Sequence, residues 1–224
     1  MQVLIVAATP FEIAPLREYL VTHFEQISEN QFQKENLHIQ LLITGVGQML
    51  TAYALGVVLS HQTFDLLINA GVAGAFDQQL ALGTVVNVVS ERFGDLGAED
   101  QDGSFLDIHD DLKLIAADAS SFQNGRLLNE GAMAYHFLPQ VHGLTVNKVH
   151  GSAASIAAIQ RRYAVDVESM EGVAFFYAAL QQEIPFLQIR AISNYVKPRN
   201  RDQWQLGLAI KNLNETLIQF TQTL

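Results

Sequence analysis

The 224-residue chain contains no cysteine. Disulfides, thiolate metal sites and a cysteine nucleophile are excluded with it. Basic residues are scarce: 13 Lys and Arg stand against 23 Asp and Glu, a net charge of −10. A nucleic-acid partner needs a basic surface to neutralise its phosphates, so no nucleic acid is expected. A nucleoside, which carries no phosphate, is still permitted. No apolar run is long and uncharged enough to span a bilayer, so no membrane partner is expected. The opening MQVLIVAATP lacks a basic n-region and reads as a first strand rather than a signal peptide, which makes the cytoplasm the expected compartment. A GK[ST] loop, a GxGxxG fingerprint, an HExxH helix and a GxSxG elbow are all missing, and the seven histidines have no metal spacing. Phosphate-loop chemistry, metal hydrolysis and serine acyl transfer are poorly supported, and no metal or organic cofactor is expected.

What is present suits one large domain over residues 1–224. Hydrophobic residues make up 49% and charged residues 16%, with no linker, low-complexity tract or internal repeat. Val3–Ala8, Leu37–Thr44, the FDLLINAGVAGAF stretch, GTVVNVVS, HGLTVNKVH and FLQIRAIS read as strands. The second of these ends in TGVG, and the third runs into a glycine-rich turn. Helical patterns lie between them: PFEIAPLREYLVTHF, QMLTAYALGVVLSH, GSAASIAAIQRRY, MEGVAFFYAALQQ and the closing DQWQLGLAIKNLNETLIQFTQTL. The middle is less periodic. FGDLGAEDQDGSF is expected to be a loop and DDLKLIAADASSF a short helix. Strands alternating with helices predict an α/β fold, a three-layer sandwich with a mixed, largely parallel central sheet. In such sheets function gathers at the carboxyl ends of strands.

Two carboxylates stand out there. Glu12 follows the first strand in TPFE. It is either a first-turn carboxylate facing the helix dipole or a general base for water. Glu171 opens the most apolar helix, in VDVESMEGVAFFYAAL. At the edge of a core it needs hydrogen-bonding compensation, which the two hydroxyls of a ribose could supply, with Met170 packing on the sugar. The alternative is that Glu168 or Glu171 only caps the helix. NAGVAG holds the candidate substrate contacts Val72 and Gly74, and its glycines allow close approach to a flat ligand or a tight turn. His109 and His150 read as structural or solvent-facing.

Four stretches occur in one order: AATPFE, NAGVAG, VESMEG and IRAISN. Together they resemble the purine nucleoside phosphorylase and nucleosidase superfamily, over nearly the whole chain. Within it, ERFGDLGAED and RAISNYVKPRNRDQW are most similar to the futalosine hydrolases. The resemblance implies hydrolysis of the N-ribosidic bond of futalosine, giving hypoxanthine and dehypoxanthine futalosine in menaquinone biosynthesis. It also implies a homodimer or larger ring. By position, Glu12 matches the glutamate that activates water, Arg190 the arginine that orders it, and Glu171 the glutamate on the ribose hydroxyls. Met170 matches the methionine on the sugar and Asn194 the residue facing N7 and the 6-position. The methylthioadenosine/S-adenosylhomocysteine nucleosidases read ISD where this chain reads ISN, and often carry Ser where it has Val72. An amide donates and accepts, so Asn194 suits a 6-oxopurine better than an aspartate would. A carboxylated 5′ tail makes Lys197, Arg199 and Arg201 candidate partners, with Phe11 or Tyr195 as stacking surfaces. A methylthioadenosine-type nucleosidase, a phosphorylase and a non-enzymatic nucleoside sensor are the alternatives. Only Arg17 and Arg92 precede residue 100, and neither lies in a glycine turn, which favours water over phosphate as nucleophile.

Overall fold

The first apolar run forms β1 (Gln2–Ala7), and its alternate side chains enter two different cores. Val3, Ile5 and Ala7 join one cluster, while Leu4 and Val6 join another. A strand buried on both faces must belong to the middle of a layered α/β fold. The computed structural model describes residues 1–134 and 137–224. A 3-10 turn at Pro10–Ile13 leads into α1 (Ala14–His23). An edge hairpin of β2 (Glu25–Ser28) and β3 (Gln31–Lys34) precedes β4 (Leu37–Ile43) and α2 (Gln48–Leu59). Next come β5 (Leu66–Ala75), β6 (Val85–Glu91), β7 (Gly97–Glu99), β8 (Phe105–Asp107), β9 (Phe122–Gln123) and β10 (Arg126–Leu128). The chain continues through β11 (Gln140–Thr145), α3 (Ala153–Arg162), β12 (Val167–Ser169) and α4 (Gly172–Gln181). It ends with β13 (Phe186–Tyr195) and α5 (Leu206–Thr221).

The sheet is mixed. β4, β1, β5 and β13 run parallel side by side. Beyond β13 the sheet curls. β13 pairs antiparallel with β6, β6 parallel with β11, and β11 parallel with β12. β12 then returns antiparallel to the far end of β5, at Gly74 and Ala75. Five strands thus close a ring on one side of an open sheet. The α1–α5 pair covers one face and the α2–α4 pair the other. Phe175 and Phe176 of α4 are fully buried, each contributing roughly 2–3 kcal/mol of apolar burial.

Several local expectations change. NAGVAG is not a turn, because β5 runs extended through it to Ala75. Residues 110–122 form no helix. The Asp107 carboxylate instead accepts from the His109 and Asp110 amides, and Arg162 clamps Asp111, which fixes a series of turns. The expected loop over 93–105 contains β7, which pairs with β8. The β2–β3 hairpin was not expected: its short strands are mostly polar and sit at a sheet edge.

Candidate active site

The cleft opens where β1, β5 and β13 end. It is lined by Thr9, Phe11, Glu12, Val46, Val72, Gly74, Met170, Glu171, Asn194 and Trp204, among others. The sequence candidates Glu12, Val72, Gly74, Met170, Glu171 and Asn194 therefore share one wall system, and Arg190 lies beneath it.

Glu12 is held from two sides. Its Oε2 accepts from the Thr9 amide (2.9 Å) and the Thr9 hydroxyl (3.0 Å). Its Oε1 accepts from the Val72 amide of β5 at 3.2 Å. Glu12 thus closes a capping box with Thr9 and also reaches across to β5. Gly71 explains how this fits. A Cβ there would lie 2.8 Å from Glu12 Oε1 and 2.5 Å from Arg190 Nη1. The glycine is needed for room, not for a turn.

Arg190 is 2% exposed. Its Nη1 donates to Asn69 Oδ1 at 3.3 Å, and its Nη2 lies 3.6 Å from Glu171 Oε2, an ion pair too long for a hydrogen bond. Among the described residues, Nε and Nη2 make no hydrogen bond. Glu171 stands at the head of α4 but makes no cap bond there. Its Oε1 accepts instead from the Gly47 amide at 3.0 Å, and Gly47 takes φ +99° to present it. Burial raises the Glu171 pKa, opposed by Arg190 and the Gly47 N–H.

Behind Arg190 runs a buried polar chain that the sequence did not reveal. Asn69 Nδ2 donates to Gln188 Oε1 (2.9 Å), and Gln188 Nε2 donates to Glu91 Oε1 (2.5 Å). Thr145 Oγ1 donates to Glu91 Oε2 at 2.8 Å. Burial pushes the Glu91 pKa up to about 7, against the pull of the Thr145 and Gln188 bonds and Arg190. These residues alternate inward on β5, β6, β11 and β13, so the ring has a polar interior ending at Arg190.

The other end of the cleft holds Asn194. A bulge in β13 at Ser193 re-aims the chain, bringing Asn194 opposite Gly74. Asn194 Oδ1 accepts from Ser193 Oγ (2.9 Å) and its Nδ2 donates to the Tyr195 carbonyl (3.2 Å), leaving one N–H and one lone pair. Glu168 and His150 form a short contact on the same wall, at 2.7 Å. Glu168 is therefore no helix cap, and His150 is not merely solvent-facing. Lys197 and Arg199 border this end, beside Asn194. Arg201 is exposed, 5.7 Å from the Trp204 ring. Phe11 flanks the cleft mouth at 61% exposure, and Tyr195 lines the Asn194 end.

Residues 2–223 match the family model described as the phosphorylase superfamily. The chain belongs to the phosphorylase superfamily. Among superfamily relatives, a futalosine hydrolase from Streptomyces coelicolor is 33% identical over 183 residues, covering 79% of this chain and 76% of its own. A 5′-methylthioadenosine/S-adenosylhomocysteine nucleosidase from Colwellia psychrerythraea is 27% identical over 203 residues, covering 85% and 82%. The crystal structure of the corresponding nucleosidase from Neisseria meningitidis, in complex with methylthio-immucillin-A, matches with a TM-score of 0.78 at 20% identity, over 100% of this chain and 99% of that one. The shared superfamily architecture is the mixed α/β fold described above. The chain is an N-glycosyl hydrolase of the nucleosidase type.

Proposed function

We propose that the chain hydrolyses the N-ribosidic bond of a 6-oxopurine nucleoside, with futalosine as the substrate. The observation that carries this reading is the convergence of Glu12, Glu171 and Asn194 on one cleft, with Arg190 buried beneath it beside Glu171. Glu12 and Arg190 flank Gly71 at its floor, where a water between them would meet C1′ of a sugar. As the C1′–N9 bond breaks, its electron pair leaves with the base and the sugar becomes oxocarbenium-like. The water oxygen bonds to C1′ and its proton passes to Glu12. The departing base takes a proton from solvent. Glu171 accepts from the ribose hydroxyls, and Met170 packs on the sugar face. Asn194 donates to O6 and accepts from N7–H.

Water, not phosphate, is the nucleophile in this reading. Arg92 is engaged with Asp107 and Asp110, and Arg17 donates to the Glu29 carbonyl on the surface, so neither serves the cleft. The test is incubation with futalosine, inosine, methylthioadenosine and S-adenosylhomocysteine, with and without phosphate, scored by release of free base. Hypoxanthine release from futalosine without phosphate is expected. Faster cleavage of methylthioadenosine, or a strict phosphate requirement, rejects the reading.

A homo-oligomer completes the proposal. α2 carries apolar side chains outward as well as inward: Met49 and Tyr53 are 77% and 74% exposed, and Leu50 and Val57 accompany them. Val46 and Phe11 extend this surface to the cleft mouth. A helix apolar all round belongs in an interface. Sedimentation is expected to show a dimer or larger, and a monomer at micromolar concentration would reject it.

A further inference from the structure

The start of α1 is interrupted from outside. In an unbroken helix the Leu16 N–H would donate to the Glu12 carbonyl, one turn back. Here the carboxamide of Asn214 stands between the two groups. Asn214 Oδ1 accepts from the Leu16 amide at 2.9 Å, and its Nδ2 donates to the Glu12 carbonyl at 2.9 Å. Nδ2 also donates to the Ile210 carbonyl at 2.7 Å. An amide N–H only donates and a carbonyl only accepts, so these partners fix which end of the carboxamide is oxygen. The chain passes from the 3-10 turn Pro10–Ile13 into α1 at this point. Ile13 is the N-cap, with φ −121° and ψ 18°, and its side chain makes no cap bond. Asn214 supplies from α5 the cap that Ile13 lacks.

Asn214 is a costly residue for its place. It lies inside α5 and is 1% exposed. Asparagine is a poor helix former, and a buried amide costs free energy unless it is hydrogen-bonded. Ile210 and Leu206, one and two turns earlier on the same face of α5, line the cleft. At the start of α5 the Gln205 amide donates to the Ser193 carbonyl at 2.8 Å, in the β13 bulge. The helix therefore ties the bulge beside Asn194 to the backbone of Glu12.

We propose that Asn214 is the positioning residue of Glu12. Its carboxamide wedges the helical ladder open and holds the Pro10–Ile13 turn at the angle that carries the Glu12 carboxylate across to the Val72 amide. The inference rests on the reading of Glu12 as the base for water, and it names the residue that sets where that base stands. Without the wedge, the Leu16 N–H is free to close on the Glu12 carbonyl and wind the turn into α1. A 3-10 turn advances about 120° per residue and an α-helix about 100°, so winding rotates the Glu12 side chain by roughly 20° for each residue converted. Misplacing a catalytic group by about 1 Å costs on the order of 10²-fold in rate.

The test uses Asn214→Leu, which keeps the bulk and deletes all three bonds, and Asn214→Ser. The serine hydroxyl can still bond the Ile210 carbonyl but is too short to part Leu16 from Glu12. Kinetics are measured on whichever of futalosine, inosine and methylthioadenosine the native chain cleaves fastest. Competent sites are counted by calorimetric titration with the base released. In both variants kcat per base-binding site is expected to fall roughly 10–100-fold, with base affinity within about 3-fold of native. In a Glu12→Gln background the same substitutions are expected to change kcat less than about 3-fold, because the group they position is already gone. A merely structural role lowers Tm and the number of competent sites but leaves kcat per site unchanged, which overturns the proposal. Losses that multiply with that of Glu12→Gln overturn it too. Failure of both variants to fold makes Asn214 a stability residue and overturns it as well. If Glu12→Gln keeps native kcat, or the native chain cleaves none of the three nucleosides, the reading of Glu12 falls together with the proposal. If Glu12→Gln is slow while both Asn214 variants keep native kcat per site, the proposal falls alone.

Discussion

The two ends of the cleft are built differently. At the floor, Glu12 and Glu171 are anchored on backbone amides, those of Thr9, Val72 and Gly47, and both carboxylates face the buried Arg190. At the other end, Asn194 is held by the Ser193 hydroxyl and the Tyr195 carbonyl, and Glu168 by the ring and the amide of His150, so side chains share the anchoring with the backbone. Backbone anchors fix a carboxylate to the fold itself, so its position cannot drift without moving a strand. The side-chain share of the far end, the Ser193 hydroxyl and the His150 ring, can be removed by a single substitution each. The floor is suited to a reaction step common to many nucleosides, and the far end to choosing among bases. The contrast predicts that floor variants lose activity on every substrate, while far-end variants reorder substrates.

The largest effect is expected at the floor. Glu12→Gln keeps the shape but removes the carboxylate proposed as general base. kcat should fall on the order of 10²–10⁴-fold for all nucleosides, with base affinity little changed. Gly71→Ala should cause a comparable loss by a different route. Its methyl would drive Glu12 and Arg190 apart, since both already lie within 3 Å of where it must sit. Steady-state kinetics on two bases checks both. A floor variant that slows one base and spares another would break the contrast.

How much of this contrast was legible in the sequence follows from the same physics. The strand–helix alternation and the buried strands showed through, because burial on both faces leaves continuous apolar runs such as VLIVA. Glu12 and Asn194 were singled out because they follow or end such runs and Glu171 because it opens the most apolar helix, while Arg190 was marked only by the resemblance to the superfamily. The ring closure was not legible. It depends on β12 turning antiparallel to the end of β5, Val167 opposite Ala75 and Glu168 opposite Gly74, a pairing so distant along the chain that no local pattern encodes it. Gly71 looked like a turn former, since sequence shows that a side chain is missing but not what fills its place. Glu168 looked like a helix cap for the same reason: its partner, His150, is 18 residues away on another segment. Gln188 and Asn69 were read as parts of strands and Glu91 as the start of the less periodic middle, although their side chains meet inside the ring.

The second effect sharpens the contrast at the far end. Asn194→Asp replaces a donor–acceptor amide with an acceptor-only group, set against O6 of a 6-oxopurine. The ratio of kcat/KM for a 6-oxo nucleoside over a 6-amino nucleoside should fall roughly 10–100-fold, a difference of about 1–3 kcal/mol. Activity on the better base should survive, because Glu12, Arg190 and Glu171 are untouched. Equal loss on both bases would place Asn194 with the floor and erase the distinction.

The smallest effect on turnover, and the one read in stability, lies behind the floor at Glu91. Thr145, Gln188, Arg190 and Glu171 are the groups that act on it. Arg190 favours its ionised form and Glu171 opposes it, while burial dominates and raises the pKa to about 7 from an unfolded value near 4.5. Between those two values the folded chain keeps a proton that the unfolded chain releases. Stability should therefore fall as pH rises through this window, by on the order of 2–4 kcal/mol, and level off above it. Glu91→Gln keeps one acceptor and has no proton to lose. Its urea midpoint should change less than that of the native chain between pH 5 and pH 8. Glu171, whose pKa is also raised by burial, leaves a residual slope of the same sign. Identical pH profiles for the native chain and the variant would mean that Glu91 is ionised throughout this range. Arg190 would then be neutralised from behind as well as by the carboxylates of the floor, and the floor could no longer be treated as a unit of Glu12, Glu171 and Arg190 alone.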